Sequence, residues 1–469
     1  MLHFANFAES TYNNTTQMRS FKSILLMMTI ALAMACNPDN AKNGTDKSYR
    51  SGHVTAEGTQ FLHKGKPYRY IGTNMWYASV LASTGEGGNR ERFCKELDNL
   101  KAIGVTNLRI LTGPDAGSDL ANPAKPYLQT APGVLNDTIL QGLDFAIAEL
   151  EKRGMHAVIY LNNAWDWSGG FGFYLKECGY GDSPNTNEEG GYNRYVNYCA
   201  DFAREPRALE MYYNYIKSII SRTNSVTGRA YKDEPAIMAW QLCNEPRPFA
   251  KDNKAAFAEW ISTAAALIKS IDPNHLVSTG SEGKYGCEVD MELYEQIHAD
   301  KNIDYLTIHI WPVNWGWAKR TDPDSDIENA CEKSLAYLHE HEAVAKRLNK
   351  PLVIEEFGFC RQGNVSGTEI PVESRDRFYS AIFACVEKNI LLKKDEKSGD
   401  LVTEEGVLAG CNFWGWGGSG RPRDLVWQPG DDFLCDPPHE PQGWYSVFDC
   451  DTTTIGIIKE YSEKINIAE

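Results

Sequence analysis

Two apolar runs in this 469-residue chain end in carboxylates. Ala236 to Cys243 leads into Asn244-Glu245-Pro246, and Pro351 to Ile354 leads into Glu355-Glu356-Phe357-Gly358. If the runs are parallel strands of a barrel, their ends meet at its mouth and the side chains face each other across a gap. Carboxyl groups about 5 Å apart can exchange a group at an acetal carbon in two steps. One attacks as a carboxylate, while the other lends a proton to the leaving oxygen. An arginine beside a carboxylate keeps it ionised, whereas apolar surroundings keep a carboxylic acid protonated. Further polar residues interrupt or end apolar runs: Arg109 in Asn-Leu-Arg-Ile-Leu, Asn162 and Asn163, His309, Trp311 and Trp414. Singly, Arg109 reads as a structural ion-pair partner, His309 as a satisfied core histidine and the glutamates as solvated loop acids. Their joint placement at strand ends favours a reaction site.

The elements that must position them alternate. Strands are expected at Tyr68–Thr73, Asn107–Leu111, Met155–Leu161, Ala236–Leu242, Leu276–Thr279, Tyr305–Ile310, Leu352–Glu355 and Leu408–Phe413. Amphipathic helices are expected at Phe93–Ile103, Ile139–Arg153, Ala208–Ser221, Ala255–Ser270, Glu332–Leu348, Arg375–Asn389 and Thr452–Ile465. Eight strands alternating with helices imply an α/β fold, a single (β/α)8 TIM barrel over 53–469, with chemistry at the strands' C-terminal ends. Long segments after strand 3 (162–204) and strand 8 (417–447) are expected to build the rim of an open substrate cleft. A doubly wound nucleotide-binding sheet is rejected, because Gly85, Gly87 and Gly88 do not match Gly-x-Gly-x-x-Gly.

Composition agrees with a well-cored and unusually aromatic protein, with 12 Trp, 23 Tyr and 18 Phe. The net charge of −16 gives no support to nucleic acid or an acidic membrane surface as partner. Loop tryptophans after strands, namely Trp76, Trp165, Trp167, Trp315, Trp317, Trp416 and Trp427, suit stacking on the C–H faces of sugar rings. Trp240 and Trp260 are assigned to packing. No Cys-x-x-Cys occurs, so no metal site is supported. Cys178 with Cys199, and Cys435 with Cys450, lie in loop-rich stretches and could pair, although sequence spacing alone does not establish the geometry.

At the N-terminus, Arg19 and Lys22 precede the apolar run Ile24–Ala35, which is too short to span a bilayer and reads as an export signal. Leu32-Ala33-Met34-Ala35-Cys36 resembles a bacterial lipoprotein lipobox, which implies cleavage before Cys36 and lipidation of its thiol. Translation is expected to start at Met18. Residues 1–35 are read as the signal segment and 36–52 as a polar tether. The expected location is a bacterial outer membrane or cell surface through the lipid, or the exterior as a secreted protein.

The motifs in order resemble glycoside hydrolase family 5, within it the endo-β-1,4-mannanases. They are Gly72-Thr73-Asn74-Met75-Trp76-Tyr77, Asn162-Asn163-Ala164-Trp165, Asn244-Glu245-Pro246, Ser281-Glu282-Gly283, His309-Ile310-Trp311-Pro312, Glu356-Phe357-Gly358 and Phe413-Trp414-Gly415-Trp416. The resemblance implies a retaining, endo-acting hydrolase of β-1,4-mannosidic linkages in mannan, glucomannan or galactomannan, working without a cofactor. It implies Glu245 as general acid/base, Glu356 as nucleophile and Asn244 as the partner of the sugar's 2-hydroxyl. Arg109 and His309 would position the nucleophile, and Trp414 would floor the site. Asn163, Glu282 and Trp76 are further candidate substrate contacts. Trp311 stands where the family often has a tyrosine, and an indole N–H can donate but not accept. Glu355 is expected to be structural, since neighbouring strand residues face opposite ways. The rival readings are a β-1,4-endoglucanase of the same family and a non-catalytic polysaccharide-binding lipoprotein. The latter would have no need of both glutamates.

Two patterns are set aside. His339-Glu340-His341-Glu342-Ala343 lacks the second histidine of a metalloprotease helix and reads as a solvated face. Asp322, Asp324 and Asp326 lack the glycine and glutamate of a calcium loop and read as acidic capping of the next helix.

Overall fold

The computed structural model describes residues 52–390, 392–394, 401–403 and 406–466. The export segment, Cys36 and the tether up to residue 51 lie outside the described residues. Eight parallel strands form the centre: β1 (Tyr70–Asn74), β2 (Asn107–Leu111), β3 (His156–Tyr160), β4 (Ile237–Gln241), β5 (Leu276–Ser278), β6 (Leu306–Ile310), β7 (Leu352–Phe357) and β8 (Leu408–Phe413). They pair in the order β5-β4-β3-β2-β1-β8-β7-β6. The seam between β5 and β6 is bridged by Asp304 N donating to Val277 O at 2.8 Å and His309 N to Glu282 O at 3.1 Å. The result is a (β/α)8 barrel, as expected.

Each strand is followed by a helix: α1 (Arg90–Ala102), α2 (Asp137–Arg153), α3 (Pro206–Ile220), α4 (Lys254–Ile271), α5 (Met291–Ala299), α6 (Ile327–Leu348), α7 (Glu373–Ile390) and α8 (Thr452–Asn466). Their boundaries follow local chemistry. The Asn136 side chain accepts from Thr138 N to start α2, and Gly154 at φ 67° ends it in the left-handed region that glycine enters freely. Asp290 likewise accepts from Glu292 N and Leu293 N to start α5, the helix that sequence periodicity missed.

One end of the barrel is stoppered. A three-stranded antiparallel sheet, Val54–Glu57, Gln60–His63 and Lys66–Tyr68, buries Val54, Phe61 and Tyr68 against Tyr70, Val158, Met238, Tyr305 and Val353 inside the strands. The other end, where the strands finish, is ringed by two inserts. The segment after β3 carries helices Gly170–Leu175 and Gly191–Cys199, tied to the core by Phe171 meeting Trp260 of α4 edge to face, with ring centres 5.5 Å apart.

Other expectations are corrected. All eleven described cysteines are free, so neither Cys178–Cys199 nor Cys435–Cys450 is bonded. Instead, Cys435 is buried with Sγ against Asn74 O at 3.4 Å, while Cys450 is exposed. His341 is not on a solvated face. It is buried, contacting Tyr337 O at 2.7 Å through Nδ1 and accepting from Lys284 N through Nε2. Asp324 and Asp326 accept from Gly363 N and Lys319 N, which ties loops together rather than capping α6. Among the described residues, no helix is long and apolar enough to cross a membrane.

Candidate active site

The site is assembled around Arg109, a fully buried cation in the middle of β2. A buried guanidinium needs acceptors for a planar fork of donors, and three strands and the segment after β4 supply them. Arg109 donates to Asn74 Oδ1 (3.1 Å, β1), Gln241 Oε1 (2.8 Å, β4), Asn244 Oδ1 (2.7 Å) and Glu356 Oε1 (2.5 Å, β7). Its charge centre also lies 4.5 Å from the Tyr160 ring of β3. One side chain therefore fixes both an amide and a carboxylate at the mouth of the barrel.

Glu245 sits just beyond β4 with φ 49°, a left-handed backbone uncommon outside glycine. The turn is held by Asn244 N donating to Asn162 O (2.7 Å), Ala164 N to Asn244 O (2.9 Å) and Glu245 N to Gly280 O (3.0 Å). Gly280 itself has φ +76°, and a Cβ there would come within 1.9 Å of Cys243 O, so only glycine fits. From this turn the Glu245 carboxylate meets His309 Nδ1 at 2.8 Å through Oε1, and its Oε2 accepts from Trp165 Nε1 at 2.5 Å.

Glu356 ends β7 and faces the same histidine. Its Oε2 accepts from Trp311 Nε1 at 3.2 Å and lies 3.4 Å from His309 Nδ1. The indole thus makes the contact left in question by the replacement of tyrosine. One donor atom each from Glu245, His309 and Glu356 falls within 4.8 Å of the others. Three such groups could hold a metal ion, but Arg109, Trp165 and Trp311 already donate to these carboxylates.

The neighbouring Glu355 departs from simple alternation. The pairing of β6 with β7 shifts between Ile308 and His309, so that Ile308 opposes Ile354 but His309 opposes Glu356. This irregularity lets both glutamates point inward. Glu355 lies deeper, accepting twice from Gln241 Nε2 (2.7 and 2.6 Å) and once from Tyr305 OH (3.2 Å). Only Glu356 reaches the cavity.

That cavity, about 450 Å³, is lined by Asn244, Glu245, Glu282, Trp311, Glu356 and Trp414 among the expected residues. Trp311 and Trp414 meet edge to face, with ring centres 5.8 Å apart. Four candidates do not line it, namely Trp76, Asn163, Arg109 and His309. Trp76 is buried, its Nε1 donating to Cys435 O at 2.9 Å beneath Trp167. Asn163 is also buried and serves as a strut: its Oδ1 accepts from Asn244 Nδ2 (3.1 Å) and Trp165 N (3.2 Å). Arg109 and His309 stand behind the cavity wall and act through the carboxylates. Among the loop tryptophans, Trp165, Trp167 and Trp315 line the cavity, while Trp317, Trp416 and Trp427 do not.

Sequence reading missed part of the lining: Asp166, Tyr192, Arg247, Asn314, Arg320, Glu440, Trp444 and Tyr445. Arg247 had a signal, since it follows Asn-Glu-Pro directly, and Glu440 lies in the insert already assigned to the rim. Tyr192 had none.

The charges of the site are strongly coupled. Burial alone would raise Glu245, but the hydrogen bond and charge of His309, with Arg247 and the Trp165 N–H, hold it down to about 2. Burial pushes Glu356 up to about 7 against the pull of His309 and Arg109, and the Glu245 carboxylate adds to the rise. Burial also lifts Glu440 to about 8 and Asp166 to about 6, and it pushes Glu282 upward against the opposing pull of the Arg247 guanidinium in contact with it.

Comparison with known proteins places this geometry. Residues 51–469 match the family described as GH family 5 beta-mannosidase-like. Mannan endo-1,4-beta-mannosidase 1 of Oryza sativa subsp. japonica is 30% identical over 430 residues, covering 88% of this chain and 86% of the rice protein. Mannan endo-1,4-beta-mannosidase 4 of Solanum lycopersicum is 29% identical over 387 residues, covering 78% and 86%. A glycoside hydrolase family 5 mannosidase from Rhizomucor miehei, solved in complex with mannosyl-fructose, superposes with a TM-score of 0.80 at 31% identity, over 89% of this chain and 98% of that one. An endo-1,4-beta-mannanase from the same organism shares the fold at 21% identity and a TM-score of 0.61. The chain belongs to the β-mannosidase-like group of glycoside hydrolase family 5.

Proposed function

We propose that the protein is a retaining β-mannan hydrolase that cuts internal β-1,4 linkages by double displacement. The observation that carries the retaining mechanism is the approach of the Glu245 and Glu356 carboxylates, with oxygens within 4.8 Å. This is the short separation of a retaining pair, not the wider gap that an inverting pair keeps for the attacking water. Glu356 Oε2 attacks the anomeric carbon while Glu245 gives its proton to the departing glycosidic oxygen. Glu245 then takes a proton from water, and the hydroxide releases the sugar from Glu356. Arg109 holds Glu356 through its other oxygen, and Trp311 steadies the attacking one. Asn244 uses one Nδ2 hydrogen on Asn163, leaving the second for a sugar hydroxyl.

His309 Nδ1 lies within reach of both carboxylates, 2.8 Å from Glu245 Oε1 and 3.4 Å from Glu356 Oε2. A sugar that fills the cleft displaces water, and its glycosidic oxygen favours a protonated Glu245, while Arg109 and Trp311 favour an ionised Glu356. The choice of mannose over glucose is supported by the rice and tomato relatives. Export and lipid anchoring at Cys36 belong to the same proposal and rest on residues 18–36 alone.

A second reading, removal of sugar from chain ends, is favoured by the 31% identical Rhizomucor mannosidase and by a cavity of only about 450 Å³ between two inserts. The products from mannohexaose separate the two. Internal cutting gives mannobiose to mannotetraose at the earliest times, and end removal gives mannose and mannopentaose only. For the roles of the glutamates, Glu245→Ala on an activated aryl mannoside should stall at deglycosylation and be rescued by azide as a β-mannosyl azide. Lack of rescue in a folded variant would remove Glu245 as acid/base.

A further inference from the structure

Arg247 follows Glu245 by two residues, yet no step of the displacement uses it. Its side chain is only 18% exposed, and its Nη2 pairs with the buried Glu282 carboxylate. Its charge centre lies 5.2 Å from the centre of the Trp165 ring, and Trp165 donates its N–H to Glu245 Oε2. The indole is gripped on other sides as well. Tyr192 and Tyr195 lie nearly parallel to it, at 5.9 and 6.2 Å, and Phe249 meets it edge-on at 5.7 Å. Phe249 itself takes a left-handed backbone at φ 58°. An Arg247 that served only the fold would have no reason to line the cleft and lie on the ring that grips Glu245.

We propose that Arg247 and Glu282 are a positioning pair for Glu245: Arg247 sets the Trp165 indole that holds the carboxyl, and Glu282 cancels the guanidinium's charge beside it. The inference rests on Glu245 being the acid/base. The charged and titratable groups facing Glu245 are His309 from β6, Glu356 from β7, Tyr192 from the insert after β3 and Glu440 from the insert after β8, with Arg247 and Glu282 themselves. Within this set, Arg247 and Glu282 are the directly paired opposite charges, so removing either leaves the other uncancelled.

The test is the basic limb of the kcat/KM profile on unactivated mannooligosaccharides, where proton donation to the leaving group matters. Glu282→Gln should move that limb down by about one pH unit, because an uncancelled guanidinium favours the carboxylate form of Glu245. Arg247→Gln should move it up and lower kcat by about tenfold as the indole loosens. Arg247→Lys should restore the limb but not kcat, and the double variant Arg247→Gln/Glu282→Gln should also restore the limb. Unmoved limbs with a raised KM, or shifts in the same direction for both single variants, overturn the proposal. If Glu282→Gln does not fold, an unmoved limb in Arg247→Gln does so alone. Azide rescue of Glu245→Ala with unmoved limbs refutes only the pair, whereas absence of rescue refutes the acid/base reading beneath it.

Discussion

Replacing Arg109 by lysine separates geometry from charge at the centre of the site. The guanidinium reaches four acceptors on three strands and the segment after β4, at 2.5 to 3.1 Å, all of them buried. Lysine keeps the charge but has three donors on one atom, so it cannot reproduce a planar fork spanning Glu356 and Asn244. At least two of the four contacts are lost. A hydrogen bond involving a charged group contributes about 1.5–3 kcal/mol, so the loss is on the order of 3 kcal/mol. If the contacts are needed in the transition state, kcat/KM falls by about two orders of magnitude. The assay is initial-rate kinetics on an activated aryl β-mannoside, alongside thermal unfolding to show that the barrel is intact. Arg109→Met removes the charge as well. It leaves Glu355 and Glu356 buried without their cation, which costs about 3–5 kcal/mol of stability. It also raises the acidic limb of the pH profile, since Glu356 must ionise without help. A folded Arg109→Lys enzyme with kcat/KM within threefold of the original would refute the view that the fork positions the nucleophile.

Other consequences follow from the same contacts. Glu355→Gln should retain activity within about tenfold, because its partners Gln241 and Tyr305 can bond an amide, whereas Glu356→Gln should be inactive with the same aryl mannoside. Stability should be greatest near pH 6.5. Burial holds His156, His298 and His341 down to about 3, so their contribution is lost as pH falls from about 6.5 towards 3. Burial also lifts Asp115 to about 8, so its contribution is lost as pH rises from about 4 to 8, by up to about 1.4 kcal/mol per pH unit. Above pH 6.5 only the carboxyl effect remains, and a melting temperature that rises from pH 6.5 to 8 would contradict this balance. Cys36→Ala expressed in a bacterial host should abolish membrane partitioning and change electrophoretic mobility; unchanged behaviour would refute lipidation.

The barrel was legible because its strands are short apolar runs, several of them interrupted or followed by a polar residue at the mouth. Arg109, Glu245, His309 and Glu356 could therefore be placed before any coordinates. α5 was missed because nine residues between Asp290 and Asp300 give too few turns to show a period. The three strands stoppering the barrel were missed because Pro67 and two Gly-containing turns broke any alternation. The argument that only one of Glu355 and Glu356 faces inward reached the right nucleophile candidate by a wrong route, since a register shift turns both inward. Tryptophans were the hardest to assign, because sequence shows the ring but not the acceptor of its N–H. Trp76 finds Cys435 O and Trp416 finds Glu96, so both are drawn into the core, while Trp165 finds Glu245 and becomes part of the site.

The central claim is that Glu245 and Glu356 act in two successive displacements at one anomeric carbon. Proton NMR of the first products from a β-mannoside, recorded before mutarotation, tests it most directly. Double displacement predicts that the β anomer appears first and the α anomer only as equilibrium is approached. An α anomer as the first product would mean that water attacks directly, and would contradict the roles assigned to both glutamates.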